Sequence, residues 1–160
     1  MASSARADAP VLRPARSDER DALDALILRS KAWWGYDAAM MAVMARWLRA
    51  DPDAIEDGRC RVAEAGEQRL GVAQLGRLEN GAVELELLFI DPAAIGSGVG
   101  RALYDWAREA ARRAGATRMT ILADPQSRGF YEAMGARFVE DRPSQAVPGR
   151  TLPWLEHPLG

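Results

Sequence analysis

Metal and disulfide chemistry have almost nothing to work with in this chain. Of its 160 residues one is cysteine, Cys60, and one is histidine, His157. A single cysteine excludes an intrachain disulfide and every multi-cysteine zinc site. A single histidine near the C-terminus excludes a His-rich metal cluster and leaves a Ser-His-Asp triad without support. No metal is expected. Lysine is as scarce: Lys31 is the only one, and the other basic residues are arginine, read as a bias of composition rather than of function. No apolar run approaches the ~20 residues of a membrane span. Met1–Ala9 lack the apolar segment of a secretory signal. Neither sign of charge dominates: the net charge is −2, so nothing pulls the chain toward nucleic acid or anionic lipid.

What is present is ordinary for a soluble domain, with 48% hydrophobic and 28% charged residues. The expected organisation is a loose tail over 1–10 and one domain over 11–160, in the cytoplasm. A chain this long buries roughly two-thirds of its unfolded surface and folds without a staple.

Val11–Arg16 reads as a first strand. Ser17 stands as an N-cap, with Asp18 and Glu19 favouring the helix dipole, before a helix carrying Leu23, Leu26 and Ile27. Gly35 breaks the chain. Asp37 is a second N-cap for a helix through Met40, Met44, Trp47 and Leu48, which Asp51-Pro52 ends. Strands follow at Cys60–Glu64 and Leu70–Gly76, and Glu79-Asn80-Gly81 signals a hairpin into Val83–Ile90. Strict alternation there puts Val83, Leu85, Leu87 and Phe89 on one face and Glu84, Glu86, Leu88 and Ile90 on the other. The clearest helix has an apolar stripe of Val99, Leu103, Trp106, Ala110 and Ala114, closed by Gly115. A strand at Arg118–Ala123, a short helix at Ser127–Met134 and strands at Arg137–Asp141 and Leu152–Glu156 complete the chain. This order predicts an α+β fold with a mixed sheet and argues against a purely parallel one.

The chemistry sits in Gly96-Ser97-Gly98-Val99-Gly100, between a strand and a helix. Glycines let backbone amides approach a ligand, and a helix N-terminus favours an anion. A Rossmann fingerprint would need glycine where Arg101 stands, and a Walker loop would need Gly-Lys-Ser/Thr, which is absent. Coenzyme A, with its pyrophosphate, suits such a loop.

Asp91-Pro92 followed by Gly96-x-Gly98-x-Gly100-Arg101-Ala102-Leu103 resembles the acetyl-CoA-binding motif of the GNAT superfamily of N-acetyltransferases. Downstream, Asp124, Ser127, Phe130-Tyr131 and Gly135 match that family's Asn-x-x-Ala-x-x-x-Tyr-x-x-x-Gly pattern in spacing. The resemblance is strong over Val83–Phe138. It implies a central, mostly antiparallel sheet flanked by helices, with a splay at Val83–Ile90 that seats pantetheine. Three positions depart from the pattern: Ile95 replaces Arg or Gln, Asp124 replaces Asn, and Ala136 replaces Phe. The implied cosubstrate is acetyl-CoA, held by Phe89, Ile90, Ile95, Gly96, Ser97, Gly98, Val99, Gly100, Arg101, Asp124, Ser127 and Tyr131.

An alkyl amine is mostly protonated near neutral pH, so a base must free it before it attacks a thioester. Glu84 or Glu86 is the expected base, with Glu84 at a position where the resembled family carries one; the bland reading is a solvated strand edge. A backbone amide near Phe89 or Ile90 suits the developing oxyanion. Tyr131 is the expected proton donor to the departing thiolate. Trp33, Trp34 and Tyr36 offer an aromatic acceptor wall, though at least one of the two tryptophans is expected in the core. Arg150 either binds a carboxylate or sits in solvent. The expected acceptor is a small-molecule or peptide amine; a homodimer stays open. Pairing Trp-Gly-Tyr with Pro-Gly-Arg resembles a bacterial subgroup of the family. Two other readings stay open: a non-catalytic acyl-CoA sensor and a nucleotide-binding module.

Overall fold

The computed structural model describes residues 10–160; the tail expected over 1–10 lies outside that range except for Pro10. Strands β1 (Val11–Pro14), β2 (Cys60–Ala65), β3 (Gln68–Leu75), β4 (Ala82–Ile90), β5 (Arg118–Leu122), β6 (Arg137–Pro143) and β7 (Thr151–Pro158) form one sheet. Its order is β1-β2-β3-β4-β5-β7-β6. Every pairing is antiparallel except β4 with β5. The helices are α1 (Arg20–Ala32), α2 (Ala38–Met44), α3 (Pro52–Glu56), α4 (Val99–Arg113) and α5 (Arg128–Ala133). The expected α+β class and mostly antiparallel sheet are what is found.

Two apolar layers lie on the two faces of the sheet. One joins Leu23, Leu26 and Ile27 of α1 to Ala54 and Ile55 of α3, and to Cys60, Val62, Val72 and Leu87 of the sheet. The other packs α4 against Ala73, Leu75, Val83, Leu85, Met119, Ile121 and Leu155. Each fully buried Leu or Ile contributes roughly 1.5–3 kcal/mol. Cys60 is buried in the first layer, and burial pushes its thiol up to about 12.

Several local readings need correction. Ser17 does not cap α1. It opens a 3₁₀ turn, Ser17–Glu19, and the Glu19 carboxylate accepts from the Arg16 amide at 2.6 Å. That carboxylate is buried and also receives Arg13 at 2.7 and 2.8 Å and Arg69 at 2.6 Å. Asp37 caps α2 through the Met40 amide at 2.8 Å, but α2 ends at Met44, leaving Trp47 and Leu48 in a turn. Asp51-Pro52 begins a helix instead of ending one: Asp51 accepts from the Asp53 amide and Pro52 fills the first turn of α3, where its missing N–H costs nothing.

The buried stripe of α4 is Val99, Leu103, Tyr104, Ala107 and Ala111, rotated from the expected one; Ala114 is exposed. Tyr104, outside the expected stripe, has a fully buried ring, and its hydroxyl meets His157 Nδ1 at 2.7 Å. Neither Trp33 nor Trp34 joins the core; they are 61% and 39% exposed. The hairpin before β4 forms as read, with Asn80 and Gly81 at φ 51° and 77°, the left-handed pair of a tight turn.

Candidate active site

The alternation expected along β4 holds only to Leu85. Leu75 pairs with Leu85, but Gln74 pairs with Leu87, so Glu86 is an inserted residue, a β-bulge. The insertion changes the parity of the strand. Val83 and Leu85 face the α4 layer; beyond the bulge Leu88 and Ile90 face it, while Leu87 and Phe89 turn to the α1 layer.

β5 pairs with β4 only from Ala82 to Glu84. Beyond Glu84 the two strands diverge and leave one edge of β4 unpaired. The Asp91 amide donates to Leu70 on β3 at 2.8 Å. Backbone groups alternate in direction along an antiparallel strand, so the Phe89 amide points at β3 as well, and those of Leu88 and Ile90 point into the splay. Leu88 was not among the site residues read from sequence, because the direction of its amide depends on the bulge.

The splay opens into a cleft of about 520 Å³. One end is the glycine loop. Gly96 and Gly98 hold φ 80° and 88°, conformations that a side chain strains. Among the described residues, the amides of Gly96, Gly98, Val99, Gly100 and Arg101 donate to no acceptor within the protein. These donors sit at the N-terminus of α4, aimed as an anion cradle. Ile95, Gly96, Gly98, Gly100, Arg101 and Ser127 line the cleft. Ser97 does not; its hydroxyl turns back to the Ala94 carbonyl. The Val99 side chain is buried in the core, so only its amide is available.

Tyr131 lines the middle of the cleft, packed against Tyr104 and Phe130 at ring-centroid distances of 6.0 and 5.3 Å. Burial, with nearby Tyr104 and Asp124, pushes its phenol well above the ordinary value, which keeps the proton on the oxygen. Glu86 also lines the cleft and accepts from Gln74 Nε2 at 3.1 Å. Glu84 is not among the lining residues. Burial and the charge of Glu86 raise its carboxyl above the usual range, partly offset by Arg142.

The far end carries residues from four separate segments. Asp124, at the end of β5, accepts from Lys31 Nζ at 2.6 Å, from the Tyr36 hydroxyl and from the Gln126 amide at 2.8 Å. Arg150 Nη2 donates to the Tyr36 hydroxyl at 2.6 Å and lies 3.6 Å from Asp124. The Asp124 carboxylate, expected at the cofactor, is thus taken up by the protein itself. Tyr36 stands behind the lining and holds Arg150 to Asp124. Lys31 was missed in the sequence; its being the only lysine in an arginine-rich chain was the available signal. Trp33, Trp34 and Trp47 form the outer wall. Among the described residues no group of acidic, His or Cys side chains could hold a metal ion, and no helix is long and apolar enough to cross a membrane.

No curated protein matches this sequence. Solved structures do match in fold. The PaiA N-acetyltransferase of Thermoplasma acidophilum in complex with coenzyme A is 15% identical, with a TM-score of 0.77 over 94% of this chain and 99% of that one. YncA of Salmonella typhimurium, a putative acetyltransferase with acetyl-CoA, is 19% identical, with a TM-score of 0.70 over 96% and 95%. A GNAT-family acetyltransferase of Staphylococcus aureus is 17% identical, with a TM-score of 0.72 over 95% and 100%. The model of the acetyltransferase (GNAT) family matches residues 21–136, and this chain belongs to that family.

Proposed function

We propose that the chain is an acetyl-CoA-dependent N-acetyltransferase, moving the acetyl group to a primary amine by direct attack in a ternary complex. The observation that carries this reading is the continuous cleft from the unpaired amides at Gly96–Arg101, along the splayed edge of β4, to Tyr131 and Glu86. The donor set fits coenzyme A: amides and Arg101 for the pyrophosphate, and free strand groups at Leu88 and Ile90 for pantetheine and the thioester. The structural relatives bound to coenzyme A or acetyl-CoA agree with it.

In this mechanism Glu86, directly or through water, takes the proton of the incoming ammonium, with Glu84 beside it. The freed amine attacks the thioester carbonyl. The Leu88 amide, fixed in direction by the bulge, donates to the oxyanion. Collapse expels the thiolate, and Tyr131 supplies its proton. Cys60 takes no part, because it is sealed in the other layer with a thiol that stays protonated.

The test is coenzyme A release by the purified protein with acetyl-CoA and a panel of amines. Turnover that depends on both the amine and Tyr131 supports the reading. Tight acetyl-CoA binding with no turnover on any amine would make this a sensor.

A further inference from the structure

From the far end of the cleft we infer that Lys31 and Arg150 form an anion subsite for the acceptor, one that takes the carboxylate of an aminocarboxylic acid with an apolar body. The inference rests on the acetyl-transfer reading and names the class of its acceptor.

The argument begins with charge. Two cations converge on one carboxylate: Lys31 Nζ is 2.6 Å and Arg150 Nη2 3.6 Å from the same oxygen of Asp124. Both also lie 5.1 Å from the centre of the Tyr36 ring. The side chains of Lys31, Asp124 and Arg150 are only 9%, 8% and 19% exposed. The group therefore holds one unit of positive charge that no protein carboxylate in it compensates. Burial, countered by Asp124 and reinforced by Arg150, lowers the Lys31 pKa. The strain of keeping that charge is relieved by an anion brought from outside.

Donor capacity points the same way. An ammonium has three donors and a guanidinium five. Among the described residues Lys31 gives one hydrogen bond, to Asp124, and Arg150 gives one, to Tyr36. Arg150 Nε and Nη1 have no acceptor, and both side chains line the cleft. A guanidinium fixed by Tyr36 with a free edge suits the two oxygens of a carboxylate. Nearby, Trp33 and Trp47 are 61% and 56% exposed and offer apolar surface to the rest of the acceptor. The phosphates of the cosubstrate have a separate cradle at the glycine loop, on α4.

The experiment pairs acids with their amides: phenylalanine with phenylalaninamide, and leucine with leucinamide. Binding to the protein with coenzyme A present is measured by calorimetry, and acetyl transfer by coenzyme A release. The acids should bind about tenfold or more tightly than the amides, the worth of hydrogen bonds to a charged group. Arg150→Gln, which keeps a donor for Tyr36, should remove that preference, and Arg150→Lys should restore part of it. A melting curve for each variant checks the fold. Acids bound preferentially without coenzyme A release would uphold the subsite and refute acetyl transfer. Amides bound and acetylated as well as acids would overturn the subsite and leave acetyl transfer standing. Loss of acetyl-CoA affinity in a folded Arg150→Gln protein would assign the anion to the cosubstrate and overturn it too.

Discussion

Removing one hydroxyl, in Tyr131→Phe, separates packing from chemistry. The ring keeps its contacts with Tyr104 and Phe130, so acetyl-CoA affinity by calorimetry should hold. The thiolate loses its proton donor, and kcat should fall by ~10–10³, at or below the usual effect of losing a general acid. Glu86→Gln should lower kcat by ~10²–10⁴ near neutral pH, and the deficit should shrink as rising pH frees the amine unaided. A pH–rate profile of both proteins reads this directly. At this scale the sequence was legible where a motif set the spacing: Tyr131 and the glycines were named from it. The partners of Asp124 were not, because Lys31 and Tyr36 lie about ninety residues before it and Arg150 lies in the β6–β7 loop after it.

Between β3 and α4 the backbone approaches its neighbours closely. A Cβ at Gly71 would lie 2.9 Å from Leu103 and 3.0 Å from Val99 and Ile90. Gly71→Val should therefore push α4 off the sheet and cost ~1–3 kcal/mol, seen as a lower denaturation midpoint. The glycine loop responds differently. A Cβ at Gly98 meets nothing within 4 Å, but φ there is 88°. Gly98→Ala should strain the loop by ~1–2 kcal/mol and weaken acetyl-CoA binding about tenfold in calorimetry, with little change in melting temperature. The existence of α4 and of the hairpin follows from periodicity and turn chemistry. The bulge at Glu86 does not, because an inserted residue is defined only against the strand that pairs with it.

Across the whole molecule, acid should act in two stages. Burial and nearby arginines hold His157 below its ordinary 6.5. Its contribution is complete above 6.5 and is lost as pH falls below it, because the unfolded chain binds the proton first. Glu19 works lower. Burial alone would raise its carboxyl, but Arg13, Arg69 and the Arg16 amide outweigh that and hold it at about 2 against an ordinary 4.5. Its contribution is full above 4.5 and disappears as pH falls toward 2. Melting temperature against pH should show both slopes, and Glu19→Gln should erase the lower one. At neutral pH the same change leaves Arg69 without its carboxylate and Arg13 with Glu64 alone, at 2.8 Å, and should cost about 3 kcal/mol.

The sequence by itself determined the α+β class, the glycine loop, the tight hairpin, the caps at Asp37 and the family resemblance. Each is set by residues within one or two turns of each other, where dihedral preference and hydrophobic period act. Only the tertiary structure decided the rest. It chose the true face of α4, since Tyr104 becomes a core residue only with His157 beside it. It turned Leu88 rather than Phe89 into the splay, since the bulge reverses the pleat. It gathered Lys31, Tyr36, Asp124 and Arg150 at one end of the cleft, since strand order brings β5 and the β6–β7 loop beside the end of α1. A buried charge is tolerable only when its partners are already in place, and that condition is met by the assembled sheet.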